Sequence, residues 1–60
     1  MVSRISIIIP AYNEESSIGL VLDALPKEQI HEIIVVDNGS TDATARVATE
    51  HGARVVKEPR

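Results

Sequence analysis

The sequence predicts an α/β fold, a β-α-β-α-β unit whose strands run parallel. Three features of the chain predict it. Glu32-Ile33-Ile34-Val35-Val36-Asp37 carries a short β-branched run, apolar on successive residues, as in a strand buried on both faces. A second such run, Ile5 to Ile9, precedes it. Between the two, Ile18, Val21, Leu22 and Leu25 fall at the i, i+3, i+4, i+7 spacing of one helical face. After Asp37 the chain has turn residues, Asn38-Gly39, then helix-start residues, Ser40-Thr41-Asp42.

Taken in order, Ile5 to Ile9 is broken only by Ser6, and Pro10 is expected to end the ladder because it has no N–H to donate. Ala11-Tyr12-Asn13 makes the connection. Asn13 is the expected N-cap of the first helix, with Glu14 and Glu15 in its first turn, where the helix dipole favours acids. Pro26 closes that helix, and Lys27 to His31 is a polar link. The second helix is expected from about Thr41 to His51, with Ser40 and Thr41 as N-cap candidates and Asp42 in the first turn. Its apolar face is small (Ala45, Val47, Ala48), and Gly52 is a natural C-cap. Ala53 to Lys57 makes a third strand, which Glu58-Pro59-Arg60 leaves.

Side chains alternate along a strand. Ile7 and Ile9 therefore oppose Ile8, and Ile33 and Val35 oppose Ile34 and Val36. Right-handed crossovers between sequentially added strands place both helices on one face of the sheet. The other face is apolar and bare. Residues 1–60 are thus expected to be the front part of a larger domain, with a homo-oligomer through the bare sheet face as the rival.

Composition narrows the class. Sixty residues make at most one small domain, and a chain of that size buries only roughly 60% of its unfolded surface. There is no cysteine, hence no disulfide framework and no thiolate metal site. A formal net charge of −3, scattered basic residues and a single tyrosine argue against nucleic acid as a partner. No apolar run approaches the ~20 residues of a membrane span, and no signal peptide opens the chain. A cytoplasmic protein is expected.

Two polar clusters, Asn13-Glu14-Glu15 and Asp37 to Asp42, should lie side by side at the carboxyl ends of adjacent strands, where ligands bind in open α/β sheets. A phosphate loop is absent, since neither cluster contains lysine or G-x-x-x-x-G-K-[ST]. A dinucleotide fingerprint is absent too: Pro-Ala-Tyr-Asn-Glu-Glu stands where G-x-G-x-x-G belongs. Ionised carboxylates are pure acceptors, suited to ribose hydroxyls, the N–H edge of a base, or a metal bridging phosphates. Tyr12 is placed to stack on a base or pack over a ribose. The chemistry points to a nucleoside, and the spacing assigns no catalytic acid or base.

At these residues the chain resembles a known family. Ile7-Ile8-Ile9-Pro10-Ala11-Tyr12-Asn13-Glu14-Glu15, followed by Ile34-Val35-Val36-Asp37-Asn38-Gly39-Ser40-Thr41-Asp42, is similar to the amino-terminal signature of family 2 glycosyltransferases. The nearest flavour is the branch containing dolichyl-phosphate mannose synthase and related polyprenyl-phosphate or phosphoglycerate glycosyltransferases. The resemblance spans Ile5 to Arg60. It implies a Rossmann-like GT-A fold, inverting transfer of a sugar from a UDP- or GDP-linked donor, and a Mg²⁺ or Mn²⁺ cofactor. It further implies a lipid-phosphate acceptor such as a polyprenyl phosphate, reached at the cytoplasmic face of the membrane.

Carried over residue by residue, the resemblance puts Pro10, Ala11, Tyr12 and Glu14 around the base and ribose and Asp37 on the edge of the base. It has Val36, Asn38 and Gly39 shape the floor, and Ser40, Thr41 and Asp42 anchor the second helix. The family's metal-binding Asp-x-Asp and its catalytic base come later than Arg60, so neither is expected here. This chain is then the donor-nucleotide-binding part of an enzyme and inactive alone. The alternatives are a non-catalytic βαβαβ module that dimerises through its bare face and, less well matched, a nucleotidyltransferase, whose first loop should be glycine-rich and basic.

Overall fold

The computed structural model describes residues 4–58. In chain order it contains β1 (Ser6–Ala11), α1 (Ile18–Asp23), a 3-10 turn (Lys27–Gln29), β2 (Glu32–Asp37), α2 (Thr44–Glu50) and β3 (Arg54–Lys57). The strands form one parallel sheet in the order β1-β2-β3. The expected exit through Pro59 and Arg60 lies outside the described residues.

Alternation along the strands sorts their side chains. Ala11 of β1 and Ile33 and Val35 of β2 turn to the helices and join Ile18 and Leu22 of α1, Ala48 of α2 and Ala53 in one buried core. Ile9, Leu25, Ile30, Val47 and Val55 pack around it. Both helices therefore cover the same face. On the other face Ile8 is 65% exposed, while Ile34, Val36 and Val56 are only half-buried. Burying one isoleucine side chain is worth about 1.5–3 kcal/mol. An uncovered row of such residues is a large loss against the ~5–15 kcal/mol stability of an ordinary domain.

Several local expectations are corrected. Pro10 does not end β1: it pairs with Val36, and Ala11 pairs with Asp37. The carbonyls of Ile5 and Ala11 accept N–H groups from the β2 side, so residues of that parity face β2. Pro10, of the other parity, turns its nitrogen to the open edge, where a missing N–H costs nothing.

Helix α1 begins at Ile18, and Asn13 does not cap it. Asn13 sits in the left-handed region (φ 51), which asparagine tolerates and a helix cannot continue through. The buried face of α1 is Ile18, Gly19 and Leu22, leaving Val21 45% exposed. Leu25 lies beyond the helix yet still packs on the core.

Helix α2 begins at Thr44 rather than near Thr41, because the loop before it is tied elsewhere, as described below. Its far end behaves as expected. Gly52 has φ 93, its N–H donates to the Thr49 carbonyl at 3.1 Å, and the Ala53 N–H donates to the Ala48 carbonyl at 3.1 Å. That is the Schellman arrangement, with glycine at its left-handed position. The helices also meet directly. His51 Nδ1 lies 2.8 Å from Asp23 Oδ1, and the His51 ring packs so closely on Gly19 that a Cβ there would lie 2.9 Å from Nε2.

Candidate functional site

The register sets Ala11, Asp37 and Lys57 abreast at the carboxyl ends of the three strands, so the loops after β1 and β2 leave side by side. Asp37, the last residue of β2, is only 4% exposed. Gly39 (φ 80) turns the chain back, and the Ser40 N–H donates to Asp37 Oδ1 at 3.0 Å. A cavity of about 270 Å³ opens beside it, lined by Asp37, Gly39, Ser40, Lys57 and Glu58. A carboxylate held by one amide at a cavity wall keeps acceptor capacity for a ligand N–H.

The two loops are braced by side chains that accept each other's backbone N–H groups. From the first loop, Asn13 N–H donates to Ser40 Oγ at 2.8 Å, Glu14 N–H to Thr44 Oγ1 at 2.7 Å, and Glu15 N–H to Asp42 Oδ2 at 3.2 Å. In return Thr41 N–H donates to Asn13 Oδ1 at 2.8 Å and Ala43 N–H to Glu15 Oε1 at 3.1 Å. Asp42 Oδ1 accepts the Thr44 N–H at 2.9 Å and the Thr44 hydroxyl proton. That hydroxyl is the main reason the Asp42 carboxyl titrates below its ordinary value, with the amides of Thr44, Glu15 and Asp42 itself adding to it against a partial desolvation. Asn13 and Ser40, which looked like local helix caps, therefore cap the neighbouring loop, while Thr41 donates to it.

Of the residues expected to form the site, Asp37 and Gly39 line the cavity. Asn38, between them in sequence, is half-buried and ties the loops with its N–H to the Ala11 carbonyl at 2.8 Å. Pro10 and Ala11 end β1, Tyr12 and Glu14 lie on the loop that follows, and none of the four lines this cavity; Ala11 is buried in the core and Tyr12 is 53% exposed. Val36 alternates to the opposite, bare face. Ser40 and Asp42 brace the loops as acceptors, and Thr41 does so as a donor.

Three residues of this region were not anticipated. Lys57 and Glu58 line the cavity because β3 pairs in register with β2, a tertiary fact, although counting on from Val55-Val56 finds Lys57 opposite Asp37. Thr44, fully buried, carries no signal in the sequence that separates it from any helix residue.

A divalent cation does not fit this donor set. No group of three or more His, Asp or Glu side chains converges among the described residues. Two of the loop acids are already engaged: both Asp42 oxygens and Glu15 Oε1 accept backbone N–H groups. Nor, among the described residues, is any helix long and apolar enough to cross a membrane.

The chain is 50% identical over 56 residues to an uncharacterized glycosyltransferase of Mycobacterium tuberculosis, a match covering 93% of this chain and 25% of the relative. It is 51% identical over 53 residues to the 4,4'-diaponeurosporenoate glycosyltransferase of Staphylococcus aureus, covering 87% and 14%. Among solved structures it is similar to the glucosyl-3-phosphoglycerate synthase of M. tuberculosis, with TM-score 0.82 and 44% identity over 90% of this chain and 21% of that one. That enzyme has been crystallised with UDP, and with Mn²⁺, UDP-glucose and glycerol 3-phosphate. The chain thus spans a quarter or less of the length of these relatives. Its parallel sheet with helices matches the Rossmann-like GT-A arrangement of that synthase. The sequence family described as Glycosyl transferase family 2 matches residues 6–60, and the chain belongs to that family.

Proposed function

We propose that residues 1–60 are the amino-terminal, donor-nucleotide-binding part of a glycosyltransferase that moves a sugar from a nucleoside diphosphate to an acceptor with inversion. The observation that carries this is Asp37, a nearly buried carboxylate at the carboxyl end of the central strand, one oxygen held by the Ser40 amide, beside an open cavity. A carboxylate there accepts a ring N–H. Uracil and guanine present one on that edge, whereas cytosine and adenine present a ring acceptor that the carboxylate repels. UDP- and GDP-linked sugars follow as donors, and the complexes of the related synthase with UDP and UDP-glucose favour UDP.

In this assignment Pro10, Ala11, Tyr12 and Glu14 surround the base and ribose, and Asn38, Gly39 and the backbone of Val36, whose side chain faces the bare side, support them. The Mg²⁺ or Mn²⁺ ion and the catalytic base belong to residues outside this chain, in keeping with loop acids that are already bonded to amides. For the acceptor we keep the polyprenyl phosphate implied by the likeness to the dolichyl-phosphate mannose synthase branch, used at the cytoplasmic face of a membrane. The test is Asp37→Ala in the intact protein, with UDP and GDP binding measured by calorimetry. Affinity for the preferred nucleotide should fall about tenfold or more; an unchanged affinity removes Asp37 from the site.

The bare sheet face favours a second reading, a half-domain that covers Ile8, Ile34, Val36 and Val56 by pairing with a copy of itself. The intact mass of the natural product separates the two. A mass well above the 6.5 kDa of these residues supports the larger enzyme, and a 6.5 kDa oligomer supports the module.

A further inference from the structure

Resting on the donor-site assignment made above, we infer that Thr44 is the positioning residue that sets the first loop, and with it Glu14, against the nucleotide. Thr44 opens α2 and is 0% exposed. Its hydroxyl has one proton, and that proton goes to Asp42 Oδ1. The lone pairs are left to face the Glu14 N–H, which donates to Oγ1 at 2.7 Å. Both capacities of a buried hydroxyl are thereby used, and each partner lies on a different loop. The polarity cannot reverse, because a backbone N–H only donates and an ionised carboxylate only accepts.

The same Asp42 carboxylate reaches on to the Glu15 N–H at 3.2 Å. Helix α2, Asp42 and the amides of Glu14 and Glu15 therefore form one connected network around Thr44. No other buried side chain joins the loops in this way among the described residues. Glu14 is half-buried, so without Thr44 Oγ1 its amide must find water or shift. A shift moves the backbone that carries the Glu14 carboxylate and, two residues before it, Tyr12, and a water leaves that backbone without its fixed anchor.

The substitutions Thr44→Val and Thr44→Ser separate positioning from packing. Valine keeps the shape and removes the hydroxyl; serine keeps the hydroxyl and removes a methyl group. In the intact protein, with UDP as the probe and calorimetric Kd as the readout, Thr44→Val should weaken binding about tenfold. Thr44→Ser should bind within about twofold of wild type, although the lost methyl lowers its melting temperature. If both variants weaken UDP binding equally, in step with their melting temperatures, Thr44 only packs, and the inference falls. It falls as well if Thr44→Val binds like wild type while Asp37→Ala does not. Should wild type fail to bind UDP, or Asp37→Ala bind it unchanged, the donor-site assignment itself fails and takes the inference with it. If Thr44→Val does not fold, amide exchange decides: the Glu14 N–H should be protected in wild type and in Thr44→Ser, and fast exchange in either overturns the role.

Discussion

Glu15 and Asp42 cap each other's loops. The Glu15 N–H donates to Asp42 Oδ2 at 3.2 Å, while the Glu15 carboxylate accepts the N–H of Ala43, the residue that follows Asp42. Each acid satisfies an amide near the start of the other's helix, across a sequence separation of 27 to 28 residues. Glu15 is consequently a brace for the loop pair, where Glu14 beside it is assigned to the donor.

This reciprocity predicts that Glu15→Ala destabilises the intact protein by about 1 kcal/mol, the usual cost of losing a capping acceptor. Glu15→Gln, which keeps an amide oxygen in reach of Ala43, should retain most of that. Urea denaturation of the two variants is the check. Equal losses would mean that the bond to Ala43 contributes nothing.

The depressed Asp42 carboxyl predicts a pH dependence with a definite sign. Because its folded value lies below the ordinary 3.8, the group contributes stability that is complete above that value. The contribution is lost as pH falls through the lower, folded value. The stability gap between wild type and Asp42→Asn should therefore be widest near neutral pH and close in acid below 3.8. A gap that persists unchanged through the acid range would show that the Asp42 charge is not what the Thr44 hydroxyl and the amides hold.

Gly52 predicts a purely conformational effect. A Cβ built there meets nothing within 4 Å, but its φ is +93°. Gly52→Ala should cost about 1–2 kcal/mol from the left-handed backbone alone, and Gly52→Asn less. Equilibrium unfolding measures both. An alanine variant as stable as wild type would mean that the Schellman turn rearranges freely.

The elements of this fold were legible because their signals are local. Ile33 to Val36 and Ile5 to Ile9 are β-branched runs that fit little except buried strands. Ile18 and Leu22 carry a helical period, and Gly52 marks the end of α2. Asp37 at a strand end was legible for the same reason, since strand direction follows from chain order. The errors fell where one residue type satisfies two geometries. Pro10 reads as a strand end, yet on an edge strand its absent N–H turns outward. Asn13 reads as an N-cap, yet it takes a left-handed conformation and caps Thr41 instead.

Residue order alone settled which segments are strands and helices, that the sheet is parallel, and that one of its faces is apolar and bare. All of these follow from periodicity and the handedness of crossovers. Packing in three dimensions decided which donor meets which acceptor. Asn13, Glu15, Ser40, Asp42 and Thr44 all carry oxygens that can cap the nearest amide, and nothing in their order says that each will reach the neighbouring loop, Asp42 in addition to its local bond to Thr44. Pairing of Ala11 with Asp37 brings the loops within hydrogen-bond reach. Once they are there, a buried amide costs more unpaired than a side chain costs to turn toward it.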